Sequence, residues 1–214
     1  MESALCEGGR DPGLRLIETM HWNGFAVRHL ALHLARLGAG VAALGWPAPD
    51  VAALNLHRGP PARLRLTADM AGEVVLESTP LPPHAVLWRV GLAGARLGSG
   101  DPWLGVKSTR RGAYEAARAD LAAGLDEVIF LNERDEVCDG TITSVFFDRG
   151  QGMRTPPLAC GLLPGVLRAA MAVPEEVLMA GDLGHVRLWV GNAVRGLIAA
   201  EFVNVPARDT FQSE

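Results

Sequence analysis

The sequence predicts an α+β chain of two domains, on three observations. Strand-like segments are interspersed with a few amphipathic helices along the chain of 214 residues. Hydrophobic residues make up 49% of the chain and charged residues 21%, the balance of a globular protein with a packed core. Residues 94–106 are rich in glycine and contain Pro102, as a connection between folded units would be. We therefore expect a small domain over residues 1–95 and a larger one over residues 96–214.

Composition and charge argue against several classes of protein. The net charge of −4 gives no reason to expect nucleic acid or an anionic membrane as a partner. The chain has no apolar run of about 18 residues, which a transmembrane helix requires, and its start lacks the apolar core of a signal peptide. Its three cysteines are widely spaced and match no metal-ligand pattern, which fits a reducing cytosol. A cytoplasmic protein is expected.

In the first half, the hydrophobic pattern predicts one helix and four strands. The helix is expected within residues 25–45, where Leu30, Leu34, Leu37 and Val41 recur at helical spacing. His29 and His33 lie four residues apart on this helix, but no third ligand accompanies them, so a metal site is not expected. The predicted strands span residues 14–22, 63–70, 73–79 and 84–93, after a loose start over residues 1–12.

In the second half, two helices and four strands are predicted. The first helix covers residues 109–124 and ends at Gly124 as its C-cap. The second covers residues 163–171 and begins at a turn that contains Pro164 and Gly165. The predicted strands span residues 126–133, 136–139, 143–148 and 185–191, and the first two of these read as a hairpin.

Three features between Lys107 and Arg168 carry the chemistry. Lys107 comes just before a helix, Asp139 ends a short strand, and Gly165 belongs to a Gly-Pro-Gly turn that opens a helix. A pyridoxal-phosphate enzyme needs an amine for a Schiff base, a carboxylate facing the pyridine nitrogen, and backbone N–H groups to hold the phosphate. Lys107 is also the sole lysine of the chain, which suggests a need for an amine that can lose its proton.

These segments resemble the class IV (fold type IV) aminotransferase family from Leu16 to Ala200. The resemblance rests on KSTRR, EVCDGTITSVFF and GLLPGVLR, together with LIETM, HLARL and GNAVRG. It implies a two-domain α+β fold of type IV with pyridoxal phosphate in the cleft between the domains. It also implies a homodimer and a small-molecule amine as substrate. The chain starts later than typical members, so the first strand of the small domain is expected to be absent.

The resemblance assigns a role to each candidate residue. Lys107 and Asp139 are the expected catalytic residues, although Asp139 stands where the family usually has Glu and Ser144 where it has Asn. Arg36 is expected to bind the phosphate, and Gly165 and Val166 to donate backbone N–H groups to it. The other expected cofactor contacts are Thr143, Ser144, Asn192 and Ala193. The expected substrate contacts are Thr19, His29, Tyr114 and Arg195.

Simpler interpretations of the same residues stay open. Lys107 and Arg36 also read as surface residues, Asp139 as a turn former before Gly140, and Tyr114 as a core residue. The LIETM, HLARL and NAVRGL segments most resemble 4-amino-4-deoxychorismate lyase, so a lyase that makes 4-aminobenzoate and pyruvate is preferred. The alternatives are an aminotransferase for branched-chain or D-amino acids and a degenerate, non-catalytic protein that binds the cofactor.

Overall fold

The computed structural model describes residues 4–52, 54 and 57–204 of the chain. The first three residues of the expected loose start and the last ten of the larger domain lie outside the described residues. The helices named below are α1 (Ala4–Gly8), α2 (Leu30–Leu44), α3 (Gly112–Ala119) and α4 (Val166–Met171). No helix in the described part of the chain is long and apolar enough to span a membrane.

Nine strands of the described residues form two sheets. The first is antiparallel in the order β1-β2-β3, with β1 at Leu16–Trp22, β2 at Ala62–Ala68 and β3 at Val74–Pro80. The second has the order β6-β5-β4-β9-β8-β7. Its strands are β4 (Leu87–Leu97), β5 (Glu127–Asn132), β6 (Val137–Gly140), β7 (Ser144–Asp148), β8 (Arg187–Asn192) and β9 (Gly196–Phe202).

The three-stranded sheet buries one face against α2. Side chains alternate along a strand, and the inner face of β1 and β2 includes Leu16, Met20, Leu64 and Leu66, all of them buried. Glu18 shares this inner face because it lies two residues from Leu16 and from Met20. The opposite face contains polar residues such as Thr19, so the sheet has a polar wall available for a site.

The six-stranded sheet is almost closed on itself. Its two end strands, β6 and β7, follow each other in the chain and are joined by residues 141–143 only. The backbone N–H of Gly140 donates to the carbonyl of Thr143 at 2.7 Å across this junction. Phe130, Phe146 and Phe147 are fully buried in the sheet. The resulting barrel-like sheet brings the end of β6 and the start of β7 together.

The predicted helices and strands overlap those of the structure, but several of their ends differ. The start of the chain contains the helix α1. The helix expected over residues 109–124 ends at Ala119, and Gly124 belongs to a separate turn with φ of 83°. The helix expected from residue 163 begins at Val166, because Gly165 before it has extended backbone angles.

The strand expected over residues 84–93 is shifted and runs to Leu97. This strand, β4, belongs to the six-stranded sheet, and the boundary expected after residue 95 falls inside it. A boundary that follows the change of sheet would therefore come before Leu87. Trp103 and Val106, which come after β4 in the chain, pack into the core beneath the three-stranded sheet. The division into two domains stays a prediction.

Candidate active site

A cavity of about 570 Å³ opens between the polar wall of the three-stranded sheet and the junction of β6 and β7. All but one of the thirteen residues expected to contact cofactor or substrate line it. These are Thr19, Arg36, Lys107, Tyr114, Asp139, Thr143, Ser144, Gly165, Val166, Asn192, Ala193 and Arg195. His29 is the exception: it is exposed at the N-cap of α2, in a left-handed conformation. His33, one turn further, is fully buried and does not line the cavity.

Lys107 is fixed by its backbone to β1. Its carbonyl accepts a hydrogen bond from the N–H of Ile17 at 2.9 Å, and Ser108 pairs with Leu16 as an isolated bridge. The side chain is partly buried in the cavity. Burial, together with the smaller effect of the positive charges of Arg36 and Arg111, lowers the pKa of Lys107 from 10.5 to about 7. At neutral pH a large share of the molecules would therefore carry a nucleophilic free amine.

Asp139 is a buried carboxyl at the end of β6, with 4% of its surface exposed. Its Oδ2 accepts a hydrogen bond from the N–H of Leu163 at 3.1 Å, and its Oδ1 accepts one from the hydroxyl of Tyr114 at 3.3 Å. Burial raises the pKa of Asp139 to about 7, while these two donors and the charge of Lys107 oppose the rise. Asp139 and Gly140 both belong to the strand β6, which argues against the simpler interpretation of Asp139 as a turn former before Gly140.

Arg36 is held in place by a buried carboxylate. Its Nε and Nη2 donate to the two oxygens of Glu18 at 2.8 and 2.6 Å, and His33 Nδ1 lies 2.6 Å from Glu18 Oε2. These contacts keep the pKa of Glu18 below its usual value against the effect of burial. The Nη1 of Arg36 donates to the carbonyl of Pro164 at 3.2 Å, so the guanidinium lies against the turn that precedes α4.

This turn approaches β7 closely at Gly165. A Cβ at Gly165 would clash with the hydroxyl oxygen of Ser144 as it lies here, so any larger residue would require the Ser144 side chain to move. The N–H groups in the first turn of α4, from Val166 onward, have no acceptor within the helix itself. The cavity wall therefore combines free helical N–H groups with a serine hydroxyl and the Arg36 guanidinium, which is the donor set that an anion requires.

Side-chain hydrogen bonds fix two further loops, one at residues 141–143 and one after Asn192. Buried Glu127 accepts hydrogen bonds from the hydroxyls of Thr141 and Thr143 and from the N–H groups of Thr141 and Ile142. Asn192 donates to the carbonyl of Ile142 at 3.0 Å, while its side-chain oxygen accepts from the N–H groups of Val194 and Arg195. The side chains of Thr143 and Asn192 therefore shape the cavity wall.

Arginines dominate the remaining wall. Arg65 lies opposite Thr19 in the β1–β2 pairing, and Arg63 lies two residues away on the same face. Arg111 donates to the carbonyl of Thr141 at 2.8 Å, and Arg195 donates to the carbonyl of Pro83 at 3.2 Å. Burial lowers the pKa of Arg195, and the charges of Arg118 and Arg63 lower it further. These side chains give the cavity an excess of positive charge.

Sequence reasoning missed the residues that organise this site from behind. Glu18 lies on the otherwise apolar inner face of β1 and Glu127 begins the buried strand β5, and a carboxylate in such a position is a signal of a buried partner. Arg65 was missed because alternation in RLRLTA reads simply as a strand with one polar face. Its position opposite Thr19 depends on strand register, which follows from the pairing of two distant segments.

Comparison with known proteins gives consistent matches. A family model described as amino-transferase class IV matches residues 15–201. A solved structure provisionally assigned as an amino-acid aminotransferase from Mesorhizobium loti is 38% identical, with a TM-score of 0.84 over 89% of this chain and 100% of that chain.

Two further solved structures share the fold at lower identity. A 4-amino-4-deoxychorismate lyase from Pseudomonas aeruginosa is 23% identical, with a TM-score of 0.71 over 88% of this chain and 82% of that chain. A branched-chain aminotransferase from Thermoproteus uzoniensis is 21% identical, with a TM-score of 0.74 over 97% of this chain and 84% of that chain. None of the curated proteins compared with the chain matches it.

Proposed function

Since the chain belongs to the class IV aminotransferase family, whose members are pyridoxal-phosphate-dependent lyases and transferases, we propose that it is a 4-amino-4-deoxychorismate lyase. The products of this reaction are 4-aminobenzoate and pyruvate. The single observation that carries the choice of substrate is that the cavity contains several arginines in addition to Arg36, which lies beside the turn before α4. The proposal also includes a homodimer.

The residues of the cavity fit pyridoxal phosphate. The volume of about 570 Å³ lies within the range of small-molecule sites. Lys107 would hold the cofactor through its amine, Asp139 through the pyridine nitrogen, and Arg36 with the Gly165–Val166 turn through the phosphate. The close approach of Gly165 to Ser144 supports the last assignment, because a side chain there would fill the place of the anion. Thr143, Ser144, Asn192 and Ala193 would complete the pocket.

The arginines suit a substrate with two carboxylates. 4-Amino-4-deoxychorismate has one amine and two carboxylates, so its binding calls for cations at two places besides the phosphate site. Arg65 and Arg195 are the candidates on the two sides of the cavity. No hydrogen bond or ion pair joins the Arg65 guanidinium to any residue that the structure describes. Thr19, opposite Arg65, would add a hydroxyl donor to the same carboxylate.

The chemistry then depends on one base and one fixed anion. Bound pyridoxal phosphate supplies an aldehyde that takes up amines and a ring that withdraws electrons from the carbon bearing nitrogen. Lys107 Nζ, once the substrate amine has taken its place on the cofactor, would be free to take the proton from that carbon of the substrate. The bond to the enolpyruvyl oxygen breaks and the six-membered ring becomes aromatic. The Lys107 ammonium would return the proton to the methylene carbon of the leaving enolpyruvate, and Asp139 would hold a proton at the pyridine nitrogen throughout.

An amino-acid aminotransferase is the second candidate function. It is favoured by the provisional assignment of the 38% identical protein from Mesorhizobium loti. It would use the same Lys107 but would also need a keto acid to accept the amino group. A cofactor-binding protein without activity is the third candidate, and the exchanges to Asp139 and Ser144 are its support.

One assay separates the three candidates. The purified, cofactor-loaded chain is incubated with 4-amino-4-deoxychorismate, and 4-aminobenzoate is quantified, beside parallel incubations with amino acids and 2-keto acids. We expect 4-aminobenzoate with the first substrate and no dependence on a keto acid. Lys107→Met is the matched negative control. Amino transfer without 4-aminobenzoate would refute the lyase in favour of the second candidate, and no turnover of either kind would favour the third.

A further inference from the structure

Tyr114 directs its hydroxyl to Asp139. It is the only tyrosine of the chain and lies on α3, where its ring packs against Phe130 with 4.9 Å between the ring centroids. Its hydroxyl donates to Asp139 Oδ1 at 3.3 Å. The ring is therefore held by the core, and the polar end that reaches the cavity is already engaged by the carboxylate.

Both carboxylate oxygens of Asp139 thus have a donor from the protein. The N–H of Leu163 serves Oδ2 and the Tyr114 hydroxyl serves Oδ1. Two donors on different oxygens fix the plane of the carboxylate, and each oxygen retains a lone pair for a further N–H. An aspartate is one carbon shorter than a glutamate, so a fixed orientation matters more here than where the longer side chain is usual.

We propose that Tyr114 is a positioning residue for Asp139: its hydroxyl fixes the shorter carboxylate and favours its anionic form, so that the two side chains together form the partner of the pyridine nitrogen. This inference rests on the proposed function, in which Asp139 faces that nitrogen. It assigns Tyr114 to the cofactor through Asp139, whereas the sequence pointed to a substrate contact.

The electrostatic surroundings of Asp139 give weight to each of its two hydrogen-bond donors, and Tyr114 is the one that is a side chain. Burial is the main cause that raises the pKa of Asp139 to about 7, and the nearby Glu127 carboxylate acts in the same direction. The charge of Lys107 and the hydrogen bonds from Leu163 and Tyr114 oppose it. Lys107 itself loses its charge near neutral pH, so it stabilises the anion least where the enzyme would work.

Tyr114 remains a donor over the whole working range. Burial raises the pKa of its phenol well above the usual range, and the charge of Asp139 raises it further. Burial also raises the pKa of the Cys138 thiol, next to Asp139, well above its usual range, so this side chain stays a neutral thiol. The positive charge of Arg111 acts on Tyr114 in the opposite sense and is the weaker influence.

The test uses Tyr114→Phe, which removes the hydroxyl and keeps the ring against Phe130. In the cofactor-free chain labelled with 13C at the aspartate carboxyls, the signal absent from Asp139→Asn identifies Asp139, and its pH midpoint is measured. We expect the midpoint to rise by about one pH unit in Tyr114→Phe, the value of one hydrogen bond to a charged group. In the loaded enzyme, the acid limb of the turnover profile should move upward by a similar amount.

Two controls separate positioning from packing. Phe130→Leu loosens the ring packing while the hydroxyl stays, so it should move the Asp139 midpoint clearly less than Tyr114→Phe does. In an Asp139→Glu background the longer side chain changes the contact, so removal of the hydroxyl should shift the acid limb less than in the parent. An equal shift in both backgrounds, or an unchanged midpoint in Tyr114→Phe, overturns the inference. Parental turnover by Asp139→Asn would refute the proposed role of Asp139 itself.

Discussion

Lys107 is expected to lose its proton near pH 7 in the cofactor-free chain, although an ordinary lysine does so near 10.5. The difference corresponds to about 5 kcal/mol at 1.36 kcal/mol per pH unit. Burial is the main cause, and Arg36 and Arg111 contribute through their charges. At pH 7 about half of the molecules would carry the free amine, roughly a thousandfold more than for a solvated lysine. This fraction determines how readily the chain reacts with an aldehyde.

Selective labelling makes the measurement direct. Because the chain has a single lysine, 13C at the lysine Cε gives one resonance, which is followed from pH 5 to pH 11. Arg111→Gln removes a positive charge and should raise the midpoint, whereas Glu18→Gln removes a negative charge and should lower it. The urea-unfolded chain serves as the reference. A folded midpoint above about 9.5 would show that water solvates the amine and would refute the argument from burial.

The same pKa shift of Lys107 has a consequence for stability. The unfolded chain binds the lysine proton more tightly, so the stability contributed by this group is complete above pH 10.5 and is lost as the pH falls towards 7. The loss is smaller than about 5 kcal/mol, because the side chain is partly exposed and water screens its charge. Lys107→Met should therefore gain stability over the parent as the pH is lowered through this window, measured as the urea midpoint. A difference independent of pH would contradict the linkage.

Three further changes test the walls of the cavity. Arg36→Ala should weaken the binding of pyridoxal phosphate about ten- to hundredfold, since a charge-assisted contact contributes roughly 1.5–3 kcal/mol. An unchanged dissociation constant would show that Arg36 does not contact the phosphate. Glu127→Gln replaces a carboxylate that accepts four hydrogen bonds from residues 141–143 and should cost about 2–4 kcal/mol in urea unfolding. Gly165→Ala forces a methyl group against Ser144 and should lower cofactor affinity more than thermal stability, as checked by equilibrium dialysis beside calorimetry.

Local patterns predicted most of the fold. The alternation in LIETMHW and RLRLTA predicted β1 and β2, because one face of each strand is buried and the pattern reports that burial directly. The ends of α3 and α4 were predicted less well. Gly124 looks like a helix cap, but the helix ends five residues earlier, where the chain turns back towards β5. The position where this helix ends depends on where the next strand lies, and a local sequence pattern does not contain that information.

Candidate residues that stand in short motifs come together in the structure, while the roles assigned to them stay predictions. Lys107, Asp139 and Gly165 all line one cavity, although the chain between them contains the helix α3 and the strands β5, β6 and β7. His29 was misplaced because helical spacing gives the face of a helix but not where the helix starts, and His29 caps α2 outside the cavity. The homodimer, the cytoplasmic location and the domain boundary stay predictions, since they depend on surfaces and surroundings beyond a single chain.

The position of β9 in the six-stranded sheet bears on how the protein is made. In this sheet β4 pairs with β9 on one side, and Leu87 lies opposite Ala199, so more than half of the chain separates the two partners. A ribosome that adds about 5–20 residues per second needs roughly 5 to 20 seconds to synthesise the intervening segment. During this interval one edge of β4 has no partner and can pair with another chain. Slower synthesis should therefore lower the yield of folded protein, and chaperones that cover exposed strand edges should raise it.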